Sequence, residues 1–324
     1  MVNQCKQQST IIFSLQLGFY GHCTHVLAAP LCLHVKKQKI DTPGPLPDPR
    51  LFNPQEVSLC RIYGAFQSMG PVKPEISLGI AGLDPSFWPS DKLGRYFHHA
   101  LTHHQEQAYD YIMTPGYQGL REQIARFSLA GGLDLSPEDI VITNGCHEAI
   151  YLALMSLCNP GDTVLFESPI HWSILQLLRQ LNLKIIEIPS SLKDGINLDT
   201  LRFVLENHTV SAMFSISNFN NPLGFTMPTG KKKALLSLLG RFGISLIEDD
   251  IYGDISYMDR PDTCKAYDHD GQVILCSSFS KTIAPGLRVG WIVPGRYYDK
   301  VLEMKSLLNI STASMNQIAV TGFL

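Results

Sequence analysis

A lysine stands among small and hydroxyl-bearing residues towards the carboxyl end of this 324-residue chain. Ser278 and Ser280 come just before Lys281, and Arg288 follows it at a short interval. A lysine in an apolar pocket near another cation has a lowered pKa and becomes nucleophilic. The pattern therefore predicts an imine-forming amine beside an anion site. The alternative is a surface lysine in a serine-rich loop.

Three acids close an apolar run earlier in the chain. Glu248, Asp249 and Asp250 follow a run that ends at Ile247, and Tyr252 lies close behind them. Acids at the end of an apolar strand are costly unless they face a cation or water. A carboxylate beside a ring nitrogen would keep that nitrogen protonated. The alternative is a solvated loop, which suits Glu248 and Asp250 better than it suits all three acids.

Two further segments combine polar residues with a glycine. Asn144 and Gly145 precede Cys146 and His147, and the free N–H groups at such a strand-to-helix turn can hold a phosphate. In the second segment, 218–224, an amide such as that of Asn221 could donate a hydrogen bond to a cofactor hydroxyl. Each segment taken alone is also explained as an ordinary turn.

Alternating helical and strand patterns surround these segments. The predicted helices are Leu120–Ala130, His147–Leu157, Ser173–Leu181, Leu198–Asn207 and Thr229–Phe242. The predicted strands are Asp139–Thr143, Thr163–Phe166, Lys184–Ile188, Val210–Ser215, Ile244–Ile247 and Val273–Cys276. Strands separated by helices favour a mostly parallel sheet with helices on both faces. In such sheets the ligand lies at the carboxyl ends of the strands, which is where the four polar segments fall.

The order of these four segments resembles that of the fold-type I enzymes that use pyridoxal 5′-phosphate (PLP), the aspartate aminotransferase superfamily. The resemblance runs from about Glu75 to the end, and the run from Ser278 to Trp291 is its most specific part. Within that superfamily the chain is most similar to the aminotransferase-like domain of MocR-type regulators of the GntR family and to related aminotransferases. The resemblance implies an α/β fold, the three-layer αβα PLP-dependent transferase fold, with a mostly parallel central sheet.

The resemblance also implies a role for each matched residue. Lys281 would hold PLP as a Schiff base. Asp249 would bond the pyridine nitrogen and keep it protonated, which makes the ring an electron sink. Asn221 and Tyr252 would bond the phenolic oxygen of the cofactor.

The phosphate of PLP would be bound by Ser278 and Arg288, together with the backbone at Cys146 and His147. Tyr111 matches the tyrosine that reaches the phosphate of a neighbouring subunit, so the resemblance implies a homodimer with shared sites. These assignments imply small-molecule partners, an amino acid and a 2-oxo acid, and no metal.

The chain departs from the family pattern in three places. The residue that stacks on the cofactor ring is usually an aromatic one, and here the position falls to His171, with Trp172 next to it. The small C-terminal domain, with the arginine that binds the substrate carboxylate, is expected to be missing. The winged helix-turn-helix of the regulators is not recognisable in residues 1–40. We therefore predict an atypical leader over 1–40, a proline-rich linker over 41–74 and the PLP-binding large domain over 75–324.

Composition indicates which partners and which compartment to expect. The net charge of −3 shows no excess of the positive charge that binds nucleic acid. DNA is therefore an expected partner only if a longer parent protein carries a helix-turn-helix. The 8 cysteines include no C-x-x-C pair, which favours free thiols and a cytoplasmic location. The apolar segment 11–35 is interrupted by polar residues, glycines and a proline, so no membrane span is predicted.

Three functional hypotheses remain open at this point. The first is an enzyme that transfers an amino group from an amino acid to a 2-oxo acid, with Lys281 as the general base at the substrate Cα. The second is a PLP-binding and effector-sensing domain of a regulator, without catalysis. The third is an inactive, truncated remnant. Because the carboxylate-binding domain is expected to be missing, we predict PLP binding with weak or no turnover.

Overall fold

The computed structural model describes residues 52–57 and 82–324. The predicted leader, and most of the predicted linker, lie outside the described residues. Phe52 and the short strand β1, Gln55–Glu56, fall inside the predicted linker, and they pack onto the edge of the sheet. The division of the chain into leader, linker and large domain stays a prediction.

A central sheet organises the described part of the chain. Besides β1, its strands are β2 (Val141–Thr143), β3 (Thr163–Ser168), β4 (Lys184–Ser191), β5 (Gly195–Ile196), β6 (Ala212–Ser215), β7 (Ser245–Asp249), β8 (Val273–Ser278) and β9 (Gly290–Val293). The strand order is β1-β4-β3-β6-β7-β8-β9-β2, and β5 pairs with β4 at one end. Strand β9 is antiparallel to both of its neighbours, β8 and β2. The consequence is that β2, β3, β4, β6, β7 and β8 all point the same way.

Helices cover the two faces of this sheet. They are α1 (Ser90–His103), α2 (Gln105–Tyr109), α3 (Gln118–Ser128), α4 (Cys146–Leu157), α5 (Trp172–Gln180), α6 (Leu198–Asn207), α7 (Thr229–Arg241), α8 (Tyr298–Asn309) and α9 (Ser314–Phe323). Every helix and strand predicted from the sequence is present, with ends that differ by a few residues. Helices α1, α2, α8 and α9 and strands β1, β5 and β9 were not predicted.

Alternation along the strands divides the core into separate layers. Phe166 and Phe214 belong to an apolar cluster shared with α4 and α5. Their neighbours Leu165 and Met213 belong to a second cluster, shared with α6 and α7. Successive residues of a strand point to opposite faces, so buried residues on both faces require helices on both sides. The predicted three-layer αβα architecture with a mostly parallel sheet is therefore confirmed.

None of the helices in the described ranges combines the length and apolar character that a membrane crossing requires.

Gly290 lies where β9 crosses the turn after β2. A Cβ atom there would stand 2.6 Å from the carbonyl carbon of Gly145 and 2.8 Å from the backbone oxygen of Ser277. Backbone atoms cannot rotate out of the way, so the contact has to be relieved by moving a strand.

We therefore expect Gly290→Ala to lower the free energy of unfolding by about 1–3 kcal/mol, measured by denaturant titration. Gly286→Ala is the matched control, since a Cβ atom at Gly286 meets nothing within 4 Å. Equal stabilities of the two variants would contradict the expectation.

Candidate active site at the carboxyl edge of the sheet

The polar segments found in the sequence meet at one edge of the sheet. Cys146 follows β2, Asn221 follows β6, Asp249 ends β7 and Ser278 ends β8. Because these four strands run in the same direction, their carboxyl ends lie along one edge. Lys281 comes directly after β8, so the same edge carries it.

The turn between β2 and α4 has the shape of an anion site. Gly145 is the residue before the helix and has φ +85°, a conformation that favours glycine. The Arg288 guanidinium packs against the glycine and donates from Nη2 to the backbone oxygen of Asn144, 3.1 Å away. A Cβ atom at Gly145 would collide with that guanidinium. The free N–H groups of the first helical turn and a cation thus converge on the same small space.

Two serines link Arg288 to the end of β8. Arg288 Nη1 donates to Ser280 Oγ at 3.2 Å, and the backbone N–H of Ser280 donates to Ser278 Oγ at 3.3 Å. Ser278 was predicted as a phosphate ligand, and Ser280 was given no role. Its hydroxyl, placed directly before Lys281, was the signal that could have identified it.

Lys281 lies half-buried at the centre of this edge, with Nζ 5.9 Å from the ring centroid of Tyr252. Burial lowers the pKa of its amine, and the Arg288 guanidinium lowers it further, while Asp249 acts in the opposite direction. A lowered pKa leaves more of the amine unprotonated and nucleophilic. This is the environment that the sequence pattern predicted.

Asn221 and Tyr252 form a pair beside the lysine. The Asn221 amide donates from Nδ2 to the Tyr252 hydroxyl oxygen at 2.9 Å. An amide nitrogen carries two hydrogens, and the tyrosine still has its own hydroxyl hydrogen. One donor on each side chain can therefore still serve a ligand oxygen between them.

Asp249 is a buried carboxylate, only 7% exposed. Its Oδ1 accepts the Cys146 thiol at 3.3 Å and the Ile251 N–H at 3.1 Å. Burial raises the pKa of Asp249 to about 6. Within residues 52–57 and 82–324 no ion pair involves this carboxylate. A cationic atom of a ligand would relieve the cost of that burial.

Glu248 and Asp250 do not lie in a solvated loop, so the alternative that the sequence left open for these two acids is wrong. Glu248 is fully buried and accepts the Ser217 hydroxyl at 2.5 Å and the Cys264 N–H at 2.7 Å. Asp250 is buried and pairs with Arg260 at 2.5 Å. The chain after β7 folds back over these acids and supplies their partners, so both have structural roles.

His171 stands at the start of α5 and accepts the Ser173 N–H at Nδ1, 3.4 Å away. Burial lowers the pKa of His171 to about 4, and the positive charge of Lys281 adds to the effect. The imidazole is therefore neutral at pH 7, and a neutral ring can stack on another ring. Trp172 lies beside it, with ring centroids 5.5 Å apart. The stacking role of His171 stays a prediction.

Two predicted residues lie at the surface. His147 is exposed, although partial burial of its ring and the nearby Arg288 lower its pKa. Tyr111 is 69% exposed and lies beside a surface groove that Ser311 and Ser314 also line. Its predicted partner belongs to a second subunit, so the role of Tyr111 stays a prediction.

Glu167 is a buried acid at the same edge that received no role from the sequence. It lies near the end of β3, is 2% exposed, and accepts the Asn220 amide at Oε2, 3.4 Å away. Its Oε1 has no hydrogen-bond partner in the described part of the chain. Burial raises the pKa of Glu167 from 4.5 to about 8.

This raised pKa predicts a pH-dependent stability. Between pH 4.5 and about 8 the folded chain keeps a proton on Glu167 that the unfolded chain releases, so stability falls as the pH rises. We expect the free energy of unfolding of the wild-type protein to fall by an amount on the order of 3 kcal/mol between pH 5 and pH 9, and Glu167→Gln to remove this fall. Denaturant titrations at both pH values measure it, with the exposed Glu206→Gln as control. If Glu167→Gln keeps the wild-type pH dependence, the prediction is wrong.

Residues 95–323 match the sequence model of the family described as "Aminotransferase class I and II". The Escherichia coli K12 protein named "Uncharacterized HTH-type transcriptional regulator YjiR" is 43% identical over 240 residues, which is 74% of this chain and 50% of that protein. Aromatic-amino-acid aminotransferase 1 of Thermococcus litoralis is 31% identical over 242 residues, 72% of this chain and 58% of its own length.

Solved structures agree with these sequence relatives. The crystal structure of an archaeal alanine:glyoxylate aminotransferase superposes with a TM-score of 0.74 and 31% identity, over 81% of this chain and 66% of that one. The chain spans only about half the length of the curated relatives it matches.

Proposed function

The chain belongs to the class I and II aminotransferase family, and on that basis we propose that it binds PLP through Lys281 and transfers an amino group between an amino acid and a 2-oxo acid. The cofactor of this family is PLP. One observation carries the proposal. The half-buried amine of Lys281, the buried carboxylate of Asp249 and the turn at Gly145, against which Arg288 packs, lie at one edge of the sheet. Each of the three matches a different part of PLP, namely its aldehyde, its ring nitrogen and its phosphate.

The residues fit the cofactor on physical grounds. Asp249 is buried and ionised above a pKa of about 6, so it can hold a proton on a ring nitrogen. Asn221 and Tyr252 each keep a donor for the phenolic oxygen. Arg288, Ser278 and the N–H groups at the start of α4 suit a phosphate dianion.

When bound, PLP supplies an aldehyde that takes up an amino group and a protonated ring that accepts electrons. Lys281 then has two tasks, to hold the cofactor and to accept a proton from the substrate Cα at Nζ. Its lowered pKa favours both tasks, because each requires the unprotonated amine. Asp249 keeps the ring proton in place while Asn221 and Tyr252 fix the orientation of the ring.

A second copy of the chain is the proposed partner. Tyr109, Tyr111 and Met113 are exposed, and Leu307 and Ile310 are exposed on a neighbouring segment. A backbone bridge between Met113 and Ser311 joins the two segments, so these apolar side chains form one surface. Contiguous exposed apolar surface favours an interface with another protein. This supports the homodimer and the role of Tyr111 across it.

A non-catalytic, effector-sensing function is the second candidate. It is favoured by the 43% identity to a protein named as a transcriptional regulator. Contact with DNA is part of this candidate only through a helix-turn-helix module in a longer protein. The free cysteines of the described residues, Cys146, Cys158, Cys264 and Cys276, support a cytoplasmic location.

The test uses the wild-type protein. It is mixed with PLP, its visible absorption is recorded, and borohydride reduction followed by peptide mapping locates the label. We expect the label on Lys281. Amino acids and 2-oxo acids are then added, and product formation distinguishes the enzyme from the sensor, which changes its spectrum without turnover. A folded protein that takes up no PLP would overturn the proposal and favour the inactive remnant.

A further inference from the structure

A cluster of largely buried polar side chains lies behind the turn between β2 and α4, residues 144–146, which is the phosphate turn. Lys305 on α8 is 1% exposed and forms an ion pair with Glu148 on α4, Nζ to Oε2, at 2.9 Å. The same Nζ donates to Asn309 Oδ1 at 2.5 Å and to Thr312 Oγ1 at 3.0 Å. Asn309 in turn donates to Glu148 Oε1. Both oxygens of the carboxylate are therefore engaged from α8.

Glu148 also contacts the phosphate turn itself. It lies in the first turn of α4, and its Oε2 accepts the backbone N–H of Asn144 at 2.5 Å. Arg288 donates a hydrogen bond to the backbone carbonyl oxygen of the same residue, Asn144. The peptide groups of Asn144 are thus held by a carboxylate on one side and by the arginine of the anion site on the other.

A carboxylate at this place has two opposing effects. It stabilises the start of α4, because the helix dipole favours negative charge there. It also competes with a phosphate for the same positive potential and repels it. The ammonium of Lys305 cancels the negative charge of Glu148 without removing its hydrogen bond to Asn144. Since Lys305 is buried and Glu148 is largely buried, solvent screens the pair little.

We propose that Lys305 is a positioning residue for the cofactor phosphate: it neutralises and orients Glu148, so that the turn keeps its shape and the phosphate meets no uncompensated negative charge. The inference rests on the proposed function, because it concerns binding of PLP at the same turn. A merely structural contact between α8 and α4 is the competing explanation, and the two differ in what they predict for ligands with and without a phosphate.

The experiment compares the affinity of PLP with that of pyridoxal, which has the same aldehyde and ring but no phosphate. We expect Lys305→Met to weaken PLP about tenfold, from like-charge repulsion in a partly screened site, and to leave pyridoxal unchanged. The double variant Lys305→Met with Glu148→Gln is expected to return PLP affinity to within about twofold of wild type, because both charges are gone. Titrations followed by absorbance measure the affinity of each of the three proteins for each of the two ligands.

Lys300→Met is the matched control. Lys300 lies on the same helix and also contacts α4, donating to the backbone oxygen of Ser156 at 2.7 Å, away from the turn. Neither ligand should bind differently to this variant. A Lys305→Met protein that binds PLP like wild type would overturn the inference, as would an equal loss for both ligands that the double variant does not restore.

Two outcomes keep the tests separate. If wild-type protein takes up no PLP, the proposed function fails before Lys305 is examined. If Lys305→Met does not fold, Glu148→Gln decides the matter, since it keeps an oxygen acceptor for the Asn144 N–H. It is then expected to bind PLP at least as tightly as wild type with pyridoxal unchanged, and weaker PLP binding would overturn the inference.

Discussion

Lys281→Ala is expected to abolish covalent uptake of PLP and to lower amino-acid-dependent turnover by at least about 10³-fold. A primary amine is what condenses with an aldehyde, and Lys281 is the amine that lies beside Tyr252 and Arg288. Its loss leaves the phosphate contacts in place, so the cofactor is still expected to bind without a covalent bond. The pKa of Lys281, lowered by burial, favours reaction at neutral pH.

Borohydride reduction and peptide mapping measure this result. Wild-type protein should carry one labelled peptide that contains residue 281, and the variant should carry none. Lys193→Ala is the control, because Lys193 is exposed and lies outside the site. A stoichiometric label on another lysine of the Lys281→Ala protein would show that the amine has been wrongly assigned.

Asp249→Asn is expected to give the second large effect, a loss of turnover of about 10²–10³-fold with PLP still covalently held. Asparagine has nearly the same shape but carries no charge, so it cannot keep a proton on the ring nitrogen. The Oδ1 contacts to Cys146 and Ile251 can be kept by the amide oxygen, so the fold should change little. Single-turnover rates with an amino acid, together with PLP titrations, separate the two effects.

Asp250, the next residue in the chain, provides the control variant for this experiment. Asp250 pairs with Arg260 rather than facing the site, so Asp250→Asn should lower the stability of the fold and leave the single-turnover rate close to wild type. Breaking a buried ion pair leaves the other charge uncompensated. If Asp250→Asn lowers the rate as much as Asp249→Asn does, the ring-nitrogen role of Asp249 is not specific.

Local patterns in the sequence were enough for much of the fold. The predicted helix Leu198–Asn207 agrees with α6 at both ends, since Asn197 caps its first N–H groups and apolar residues recur at helical spacing. Helix α1 was missed although Leu93, Phe97 and Ala100 recur at helical spacing, and only Leu93 and Ala100 are buried in it. Strand β9 was not predicted at all, and its antiparallel direction depends on long-range pairing rather than on local pattern.

The sequence by itself determined which chemical groups end the strands: Lys281 with its serines after β8, the acids at the end of β7, and a glycine turn after β2. Only the tertiary structure decided which acid serves the site. Successive residues of β7 point to opposite faces of the sheet, so Glu248 contacts Cys264 and Asp249 contacts Cys146. The alternation alone does not tell which face holds the ligand.

The ion pair between Lys305 and Glu148 could not be predicted from the sequence, because it too depends on the packing of distant segments. The two residues are 157 positions apart, and no local period links α8 to α4. Residue types along the chain set what each side chain can do. The packing of distant segments sets the burial, and burial sets the pKa and the partners that decide what it does.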